Sequence, residues 1–503
     1  MSGAPGPAVG GLRVLSLASE GTPWCKTGGL ADVVGALPAA VASADPGVTV
    51  STLLPLYPQV RAAARRLGLR LIDTGLRPTL RHRRGARIFT VRAPGPPIFF
   101  LELRGVFDRP TLYGGDHSAY VLRGYEDNVE RFATLAEAAV SAGDALCGGR
   151  VDLLHLHDWQ AAAAPGVLAD RGRSLPTLLT VHNLAYQGVF GASEALGLPL
   201  SPAVRRGPYL LAGAGNLLAG GLRLATRVST VSPTYAREVC APAQGCGLDP
   251  ILAARGVTGI VNGLDLAAWD PAAGAGLTAP FSADDLSGKA ACKRALLAEL
   301  GLLREPGELL IGVVSRLVEQ KGLDLLLALA PALRAIGARL VVLGEGDPGL
   351  VDALRASAEA HRPRFALRLA FDEALARRII AASDVLLVPS RFEPCGLTQL
   401  AAQRMGTVPV VNPTGGLADT VNDPGDAGLA RGEGSGLHMA AADGPSLVAA
   451  VERAARLMRG PPELWLSLQR RIMGLPVGWA EPAAAYAALY RAMVLDGAPR
   501  SSD

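Results

Sequence analysis

Residues suited to binding a phosphorylated ligand stand directly after an apolar segment near the start of the sequence. The stretch WCKTGGLADVVGALP, residues 24–38, places Lys26, Gly28 and Gly29 ahead of a helical pattern that contains Asp32. Glycines let backbone N–H groups approach a ligand, and the N-terminus of a helix attracts anions. The stretch therefore predicts an anion-binding turn, with a solvated lysine on a glycine-rich turn as the alternative.

Two more cations border a predicted loop in the second half of the chain. In VVSRLVEQKG, residues 313–322, Arg316 ends a predicted strand and Lys321 follows shortly after it. Arginine binds phosphate oxygens in a bidentate manner, and lysine supplies a point charge. The two residues suit a diphosphate; two solvated cations are the alternative.

A carboxylate follows another predicted strand. In VPSRFEPCGLTQL, residues 388–400, Glu393 precedes a helix whose first N–H groups, around Leu397 and Thr398, suit a phosphate. A free carboxylate beside a phosphate is electrostatically unfavourable. We therefore expect Glu393 to bind hydroxyl groups or a developing cation, and a sugar provides both.

The sequence GGLAD occurs twice, each time where a helix is predicted to begin after a strand. Its second copy lies in NPTGGLADTV, where Gly415 and Gly416 correspond to Gly28 and Gly29 of the first copy. We expect the two glycine pairs to face one ligand from opposite sides.

Histidines end two predicted strands. In HLHDWQ, His155 and His157 share one face of a strand, because strand side chains alternate. A metal site would need a third ligand, and the spacing of nearby carboxylates and cysteines supplies none. The alternative is that His155 is packed and that His157 and Asp158 begin the next helix. His182 and Asn183 end the following strand, where ligand binding is favoured over a structural hydrogen bond.

Short apolar segments alternate with helical patterns through both halves of the chain. The predicted strands are residues 13–19, 151–157, 177–183 and 227–233, and then 309–316, 338–344, 365–371, 384–390 and 407–412. This alternation predicts two doubly wound α/β domains with parallel sheets. Ligands of such sheets bind beyond the carboxyl ends of the strands, where the polar clusters lie. Residues 69–115 are predicted to form a β-hairpin insertion.

One motif favours a different class of enzyme. Gly344, Gly346 and Gly349 have G-x-G-x-x-G spacing after a predicted strand, and Asp372 stands roughly where a ribose-binding acid belongs. This pattern is typical of nicotinamide or flavin oxidoreductases. Pro348 inside the motif and its position in the middle of the second domain argue against that class.

Composition and charge limit which functional classes of protein remain. The 503 residues are enough for two or three domains, and the net charge of +4 gives no general attraction to nucleic acid. The six cysteines lack C-x-x-C spacing, which predicts reduced thiols without structural zinc. No signal peptide and no membrane span are predicted, so the cytoplasm is the expected location.

The motifs occur together in one order, and this set resembles the bacterial glycogen synthase and plant starch synthase family, the glucosyltransferases that use ADP-glucose. The segments that carry the resemblance are KTGGLADVVGALP, HDW, VHNLAYQG, VSPTYARE, NGLD, VVSRLVEQKGLDL, PSRFEPCGLTQL and TGGLADTV. The resemblance implies a GT-B architecture, with two Rossmann-like domains facing a deep interdomain cleft. The implied domains are residues 1–258, joined by a C-terminal helix at 479–503, and residues 259–478.

The resemblance also implies roles for individual residues. The residues implied to be catalytic are His182, Arg316, Lys321 and Glu393. Those implied to bind the donor are Lys26, Gly28, Gly29, Asp32, Asn262, Phe371, Leu397, Thr398, Gly415 and Gly416. Further residues expected to line the cleft are Tyr113, Asp158 and Asn183. The chain departs from the family at Ala219, where a lysine is usual, and at Phe371, where a tyrosine usually stacks on adenine.

The implied reaction transfers glucose from ADP-glucose to the 4-hydroxyl of an α-1,4-glucan with retention of configuration. A double displacement would need two suitably placed carboxylates, and the sequence offers no clear nucleophile near His182. We therefore expect front-face transfer, without a cofactor or a metal. The alternatives are a UDP-glucose-using enzyme, a non-catalytic glucan-binding paralogue and the dinucleotide-dependent oxidoreductase. The retained catalytic set argues against the paralogue.

Overall fold

The computed structural model describes residues 11–114, 124–274, 276–302, 307–370 and 372–497. These residues divide into two compact units. Unit 1 contains the described residues up to Gly263 together with those from Trp479 onward, and unit 2 contains those within Leu264–Gly478. Among the helices of this part of the chain, none has the length and apolarity needed to cross a bilayer.

Unit 1 is built on a nine-stranded sheet. The strands of the unit are β1 Leu12–Leu17, β2 Val48–Pro55, β3 Ile72–Asp73, β4 Arg87–Thr90, β5 Ile98–Glu102, β6 Leu153–His157, β7 Thr177–Val181, β8 Val189–Phe190, β9 Leu210–Leu211, β10 Ala214–Asn216, β11 Arg227–Thr230 and β12 Thr258–Gly259. The sheet order is β12-β11-β7-β6-β1-β2-β5-β4-β3, and β8, β10 and β9 form a small separate sheet. The α-helices described before unit 2 are α1 Gly29–Ala44, α2 Pro58–Arg66, α3 Asn128–Leu146, α4 Asp158–Ala161, α5 Ala164–Asp170, α6 Pro202–Arg206, α7 Leu217–Leu224, α8 Pro233–Glu238 and α9 Asp249–Arg255.

The region predicted as a hairpin insertion instead extends the main sheet. The β-hairpin is confirmed in β4 and β5, which pair antiparallel, and β3 adds to β4 in the same way. However, β5 lies parallel to β2, so these strands form the edge of the nine-stranded sheet. The sequence pattern showed the turns of this segment but not the strand against which it would pair.

Unit 2 contains a six-stranded parallel sheet. Its strands are β13 Leu309–Val314, β14 Ala338–Leu343, β15 Phe365–Arg368, β16 Val385–Val388, β17 Val408–Val411 and β18 Leu437–His438. Its helices are α10 Ser287–Glu299, α11 Leu326–Leu329, α12 Leu333–Ile336, α13 Pro348–Ala360, α14 Glu373–Ala382, α15 Thr398–Arg404, α16 Gly415–Thr420, α17 Gly425–Ala430, α18 Gly444–Arg459 and α19 Pro462–Met473. The order β15-β14-β13-β16-β17-β18 is that of a Rossmann-type sheet. The predicted parallel sheets are confirmed in both units.

The strand order fixes where each unit can hold a ligand. In unit 2 the order reverses between β13 and β16, and in unit 1 it reverses between β1 and β6. A crevice opens outside the carboxyl ends of strands at such a switch point. The segments that follow these four strands carry most of the predicted site residues.

The last helix, α20 Ala480–Gly497, belongs to unit 1 although it follows unit 2 in the sequence. Its buried side chains Ala483, Tyr486, Tyr490 and Met493 share a hydrophobic cluster with Val33, Leu37 and Val41 of α1. Burial of these apolar side chains stabilises the packing of α20 against α1.

Candidate active site

The predicted anion-binding turn of unit 1 connects β1 to α1. Gly28 precedes the helix, Gly29 is its first residue, and Asp32 lies in its first turn. The Nζ of Lys26 lies 2.9 Å from Oδ1 of Asp32. Because both side chains are partly exposed, the ion pair adds at most about 1 kcal/mol to stability. Its consequence is that the ammonium group of Lys26 is held beside the N-terminus of α1.

Glu20 organises this turn and was not among the predicted site residues. Its buried carboxylate accepts hydrogen bonds from the backbone N–H of Thr27, at 2.5 Å, and from the hydroxyl of Tyr113, at 3.1 Å. Burial raises the pKa of Glu20, and the hydrogen bonds from Thr27 and Tyr113 oppose that shift. An acidic residue directly after a buried strand was the available signal. Tyr113, a predicted cleft residue, is thereby held at this turn.

His182 lies just beyond β7 and is half-buried. Its Nε2 lies 2.9 Å from Nδ1 of His157, and its backbone N–H donates to Oδ1 of Asp158 at 2.6 Å. Burial lowers the pKa of His182 to about 3, so its ring is neutral near pH 7. The structure thus brings together two residues predicted for the site, His182 and Asp158, with His157 behind them.

Asp158 is the first residue of α4 and adopts a left-handed conformation, with φ of 57°. Burial raises its pKa to about 7, while the hydrogen bonds from the backbones of His182 and Asn183 oppose the shift. Left-handed backbone at a non-glycine residue costs about 1–3 kcal/mol and is concentrated at functional sites. Here the unusual conformation places the carboxylate against the segment that carries His182.

The contacts of His155 and His157 do not support the alternative of a metal site at these two residues. The side-chain hydrogen bonds of these rings involve Thr180 and Tyr490 for His155, and Ser16 and His182 for His157. All four ring nitrogens of the two residues are therefore engaged. The prediction that His155 is packed and that a helix begins at His157–Asp158 is confirmed, since both rings are fully buried and α4 starts at Asp158.

The remaining predicted residues of unit 1 differ in their surroundings. Asn183 forms a local turn, with its Oδ1 accepting from the backbone N–H of Ala185 at 3.1 Å. Asn262 is buried, and within the described residues its Oδ1 has no hydrogen-bond partner. Buried polar atoms in folded proteins are generally hydrogen-bonded, so this oxygen is available for a further partner. Ala219, at the position where the resemblance implies a lysine, is fully buried in α7.

In unit 2 the site is built on the segments after β13 and β16. The Nζ of Lys321 lies 2.5 Å from Oε2 of Glu393, and the Ser390 hydroxyl donates to the same oxygen at 2.9 Å. The side chains of Lys321 and Glu393 are 18% and 6% exposed. Arg316 is half-buried in the loop that directly follows β13. Lys321 and Glu393 were predicted to have separate roles, whereas the structure joins them as an ion pair.

The two segments are fastened together by backbone contacts. The backbone N–H of Arg391 donates to the carbonyl of Gln320 at 2.9 Å. Gly322 has φ of +63°, and a Cβ at this position would lie 2.1 Å from the carbonyl oxygen of Pro389. Only glycine fits both the conformation and the space. The position of Lys321 therefore depends on Gly322.

We expect Gly322→Ala to destabilise the protein more than Gly68→Ala does. Gly68 has a similar φ of +68°, but a Cβ there would meet nothing within 4 Å. Left-handed backbone costs each variant about 1 kcal/mol, and overlap with Pro389 adds roughly 1–3 kcal/mol at Gly322 alone. Thermal unfolding of both variants measures the difference. Equal shifts in Tm would contradict the predicted overlap.

The segment after Glu393 leads into two short helices. Leu397 immediately precedes α15, and Thr398 is its first residue. Gly415 begins α16, and the backbone N–H of Gly416 donates to the carbonyl of Glu393 at 3.0 Å. The GGLAD sequence therefore begins a helix in both units, as predicted. Phe371, the predicted adenine-stacking residue, lies outside the described residues.

The dinucleotide-like glycine motif has a packing explanation. A Cβ on Gly344 would lie 1.8 Å from the carbonyl oxygen of Ser315, and one on Gly346 would lie 2.1 Å from that of Leu317. These glycines thus let the chain pack closely against the loop that carries Arg316. Asp372, the supposed ribose-binding acid, caps α14 by accepting from the backbone N–H of Leu375 at 2.9 Å.

Both units therefore present cations, carboxylates and helix starts beyond the carboxyl ends of strands at a switch point. Two α/β units of this kind define the GT-B class of glycosyltransferases. A family model described as starch synthase catalytic domain matches residues 13–254, and one described as glycosyl transferases group 1 matches residues 308–456.

Proteins of similar sequence support the assignment of the chain to this class of enzyme. Glycogen synthase from Paracoccus denitrificans is 46% identical over 488 residues, and that from Acidiphilium cryptum is 44% identical over 493 residues. Each match covers 96% of this chain and 99% of the relative. The chain belongs to the family of glycogen synthases and starch synthases.

A solved structure supports the same assignment. The catalytic domain of starch synthase IV from Arabidopsis thaliana, which was solved bound to ADP and acarbose, is 32% identical with a TM-score of 0.86. That match covers 96% of this chain and 100% of the other. Sucrose-phosphate synthase from Thermosynechococcus elongatus, at 18% identity and a TM-score of 0.58, shares the fold.

Proposed function

We propose that this protein transfers glucose from ADP-glucose to the non-reducing 4-hydroxyl of an α-1,4-glucan such as glycogen, with retention of anomeric configuration. The observation that carries the proposal is the Lys321–Glu393 pair at the switch point of a Rossmann-type sheet. It combines a cation suited to a diphosphate with a carboxylate suited to sugar hydroxyls. The relatives named glycogen synthase and the relative solved with ADP support this choice of substrates.

The donor is proposed to use different groups for its different parts. Arg316 and Lys321 neutralise the diphosphate, because arginine binds oxygens in a bidentate manner and lysine supplies a compact charge. The backbone N–H groups of Leu397, which precedes α15, and of Thr398, its first residue, bind the distal phosphate, since N–H groups at a helix start have no partners within the helix. Glu393 binds glucose hydroxyls. The other residues proposed to bind the donor are Lys26, Gly28, Gly29, Asp32, Asn262, Phe371, Gly415 and Gly416.

The reaction breaks the bond between the anomeric carbon and the phosphate oxygen. Negative charge then grows on ADP while the sugar gains positive character, and preorganised cations stabilise the departing diphosphate. Lys321 begins this step paired with Glu393, so the donor phosphate competes for an ammonium group that is already in place. Positive character on the sugar is stabilised by the carboxylate of Glu393.

Transfer is proposed to occur on one face of the sugar, with the leaving phosphate taking the proton of the acceptor 4-hydroxyl. Near His182 the carboxylate of Asp158 accepts from the backbone of that histidine, and burial raises its pKa to about 7. A double displacement needs two carboxylates that flank the scissile bond, and the carboxylate of Asp158 is engaged by the backbone N–H groups of His182 and Asn183. Trapping a covalent glucosyl-carboxylate intermediate would contradict this mechanism.

The proposal includes no metal and no nucleic acid, and it places the protein in the cytoplasm. Two side-chain cations provide the charge that a divalent ion supplies in other phosphate sites. A donor based on UDP-glucose is the nearest alternative, because the base-stacking position falls at Phe371.

The test compares ADP-, UDP- and GDP-glucose at equal concentration with a soluble α-glucan, each with and without a chelator. We expect release of ADP together with lengthening of the glucan, and activity that survives chelation. Faster turnover of UDP-glucose would contradict the proposed donor. Loss of activity on chelation would contradict metal-free transfer, and glucan binding without release of any nucleotide would identify a non-catalytic paralogue.

A further inference from the structure

Three imidazole rings form a stack that ends at the proposed catalytic histidine. The ring centroids of His155 and His157 are 4.1 Å apart, and those of His157 and His182 are 5.2 Å apart. The first two rings are fully buried, and burial keeps all three neutral by lowering their pKa values. A neutral imidazole has one N–H and one acceptor nitrogen. Its hydrogen bonds therefore decide which nitrogen carries the proton.

Ser16 on β1 supplies the group that decides the proton positions. Its hydroxyl lies 3.2 Å from Nε2 of His157, and it is buried with 2% exposure. Within the described part of the chain this ring nitrogen is the only hydrogen-bond partner that the structure gives the Ser16 hydroxyl. If His157 donated to Ser16, the hydroxyl proton would be buried without an acceptor, at a cost of roughly 1–3 kcal/mol. The hydroxyl therefore donates to Nε2 of His157.

The positions of the protons on His157 and His182 follow from this hydrogen bond. Because Nε2 of His157 accepts, its proton is on Nδ1, which donates to Nε2 of His182 at 2.9 Å. Since Nε2 of His182 accepts, its own proton is on Nδ1. His182 thus has its acceptor nitrogen occupied and a single N–H group left.

We propose that Ser16 and His157 are positioning residues that hold His182 with its proton on Nδ1, so that His182 offers a hydrogen-bond donor and not a base to the reacting sugar. The proposal rests on the proposed function in placing His182 at the donor sugar. An N–H donor suits an oxygen of the sugar or of the departing phosphate. It cannot take the proton of the acceptor hydroxyl, which agrees with the leaving phosphate as the base.

The position of the protons can be measured without any activity. Nitrogen NMR of protein labelled at its seven histidines separates protonated from acceptor ring nitrogens, and the spectrum of His182→Gln identifies the signals of His182. We expect a protonated Nδ1 and an acceptor Nε2 at His182. A protonated Nε2 would overturn the proposal. Because this measurement needs no substrate, it decides the proposal even if the protein fails to use ADP-glucose.

The effect on turnover is tested with matched serine variants. Ser51 on β2 is buried, and its hydroxyl contacts the backbone carbonyl of Leu146 at 3.4 Å and the thiol of Cys147, so Ser51→Ala controls for loss of a buried hydroxyl away from the histidines. We expect Ser16→Ala to lower kcat about tenfold with little change in KM, Ser16→Thr to restore most of the loss, and Ser51→Ala to keep wild-type kcat. The signals of His182 should show both tautomers in Ser16→Ala.

Equal kcat in Ser16→Ala and Ser51→Ala, with unchanged signals of His182, would overturn the proposal. If Ser16→Ala does not fold, the wild-type spectrum decides the proposal.

Discussion

Replacing Lys321 with alanine is expected to lower kcat by about 10²–10³-fold, which corresponds to roughly 3–4 kcal/mol of transition-state stabilisation. Lys321 is held 2.5 Å from Glu393, and Ser390 contacts the same carboxylate. A cation fixed in this way needs no rearrangement as negative charge grows on the leaving diphosphate. Its loss also leaves the buried carboxylate of Glu393 without its cation, while the hydroxyl of Ser390 still donates to it. Steady-state kinetics with ADP-glucose and a soluble glucan measure the effect.

The chain offers a closely matched control for this variant. Lys293 in α10 lies 2.5 Å from Asp384, and the two side chains are 24% and 14% exposed. Lys293→Ala therefore breaks a similar, partly buried ion pair in the same unit. Both variants should lose thermal stability, because each leaves a carboxylate without its cation. Only Lys321→Ala should lose turnover, and near-wild-type kcat in that variant would contradict the proposed role of Lys321.

His182→Ala is expected to reduce kcat by a similar factor, about 10²–10³-fold, since it removes a fixed polar group at the proposed sugar site. The ring is oriented by His157 at 2.9 Å, and the backbone is oriented by Asp158 at 2.6 Å. A group held at two points contributes mainly to the transition state, so kcat should fall more than KM rises. Kinetics at varied donor concentration separate the two parameters.

His361→Ala is the control for this second variant. His361 directly follows α13, its Nδ1 lies 2.8 Å from the carbonyl oxygen of Ser357, and it is not among the candidate site residues. Its kcat should match that of the wild type. His182→Asn keeps an N–H donor close to the ring position and should recover part of the activity. A rise in KM without a fall in kcat in His182→Ala would show that the residue only helps to bind the donor.

Much of the fold could be predicted from the sequence because its strands are continuous apolar segments. All six residues of β14 are buried, and both β6 and β7 are buried along their whole length. Such strands stand out from the amphipathic helices between them. Their order then places the polar residues that follow β1, β6, β13 and β16 at switch points. Most of the candidate site residues were expected at these switch points for that reason, whereas His182 follows β7.

The partners of those residues could not be predicted, because they come from distant parts of the chain. Lys321 and Glu393 are separated by 72 positions, and Glu20 and Tyr113 by 93. The local sequence around a lysine does not show which carboxylate will pair with it in the folded protein. The glycine motif after β14 was ambiguous for a related reason. A glycine needed for close packing against a neighbouring loop looks the same in sequence as one that admits a ligand.

Helix α20 makes the order of synthesis matter for this protein. The apolar stripe of α1 that carries Val33, Leu37 and Val41 leaves the ribosome early, yet the helix that covers it is translated only after Leu264–Gly478. From Val41 to the start of α20 at Ala480 the ribosome adds about 440 residues, which at about 5–20 residues per second takes roughly 20–90 s. During this time α20 does not yet cover the apolar stripe of α1, so the nascent chain exposes an apolar surface to which a chaperone can bind. Synthesis of unit 1 thus begins before that of unit 2 and is completed after it.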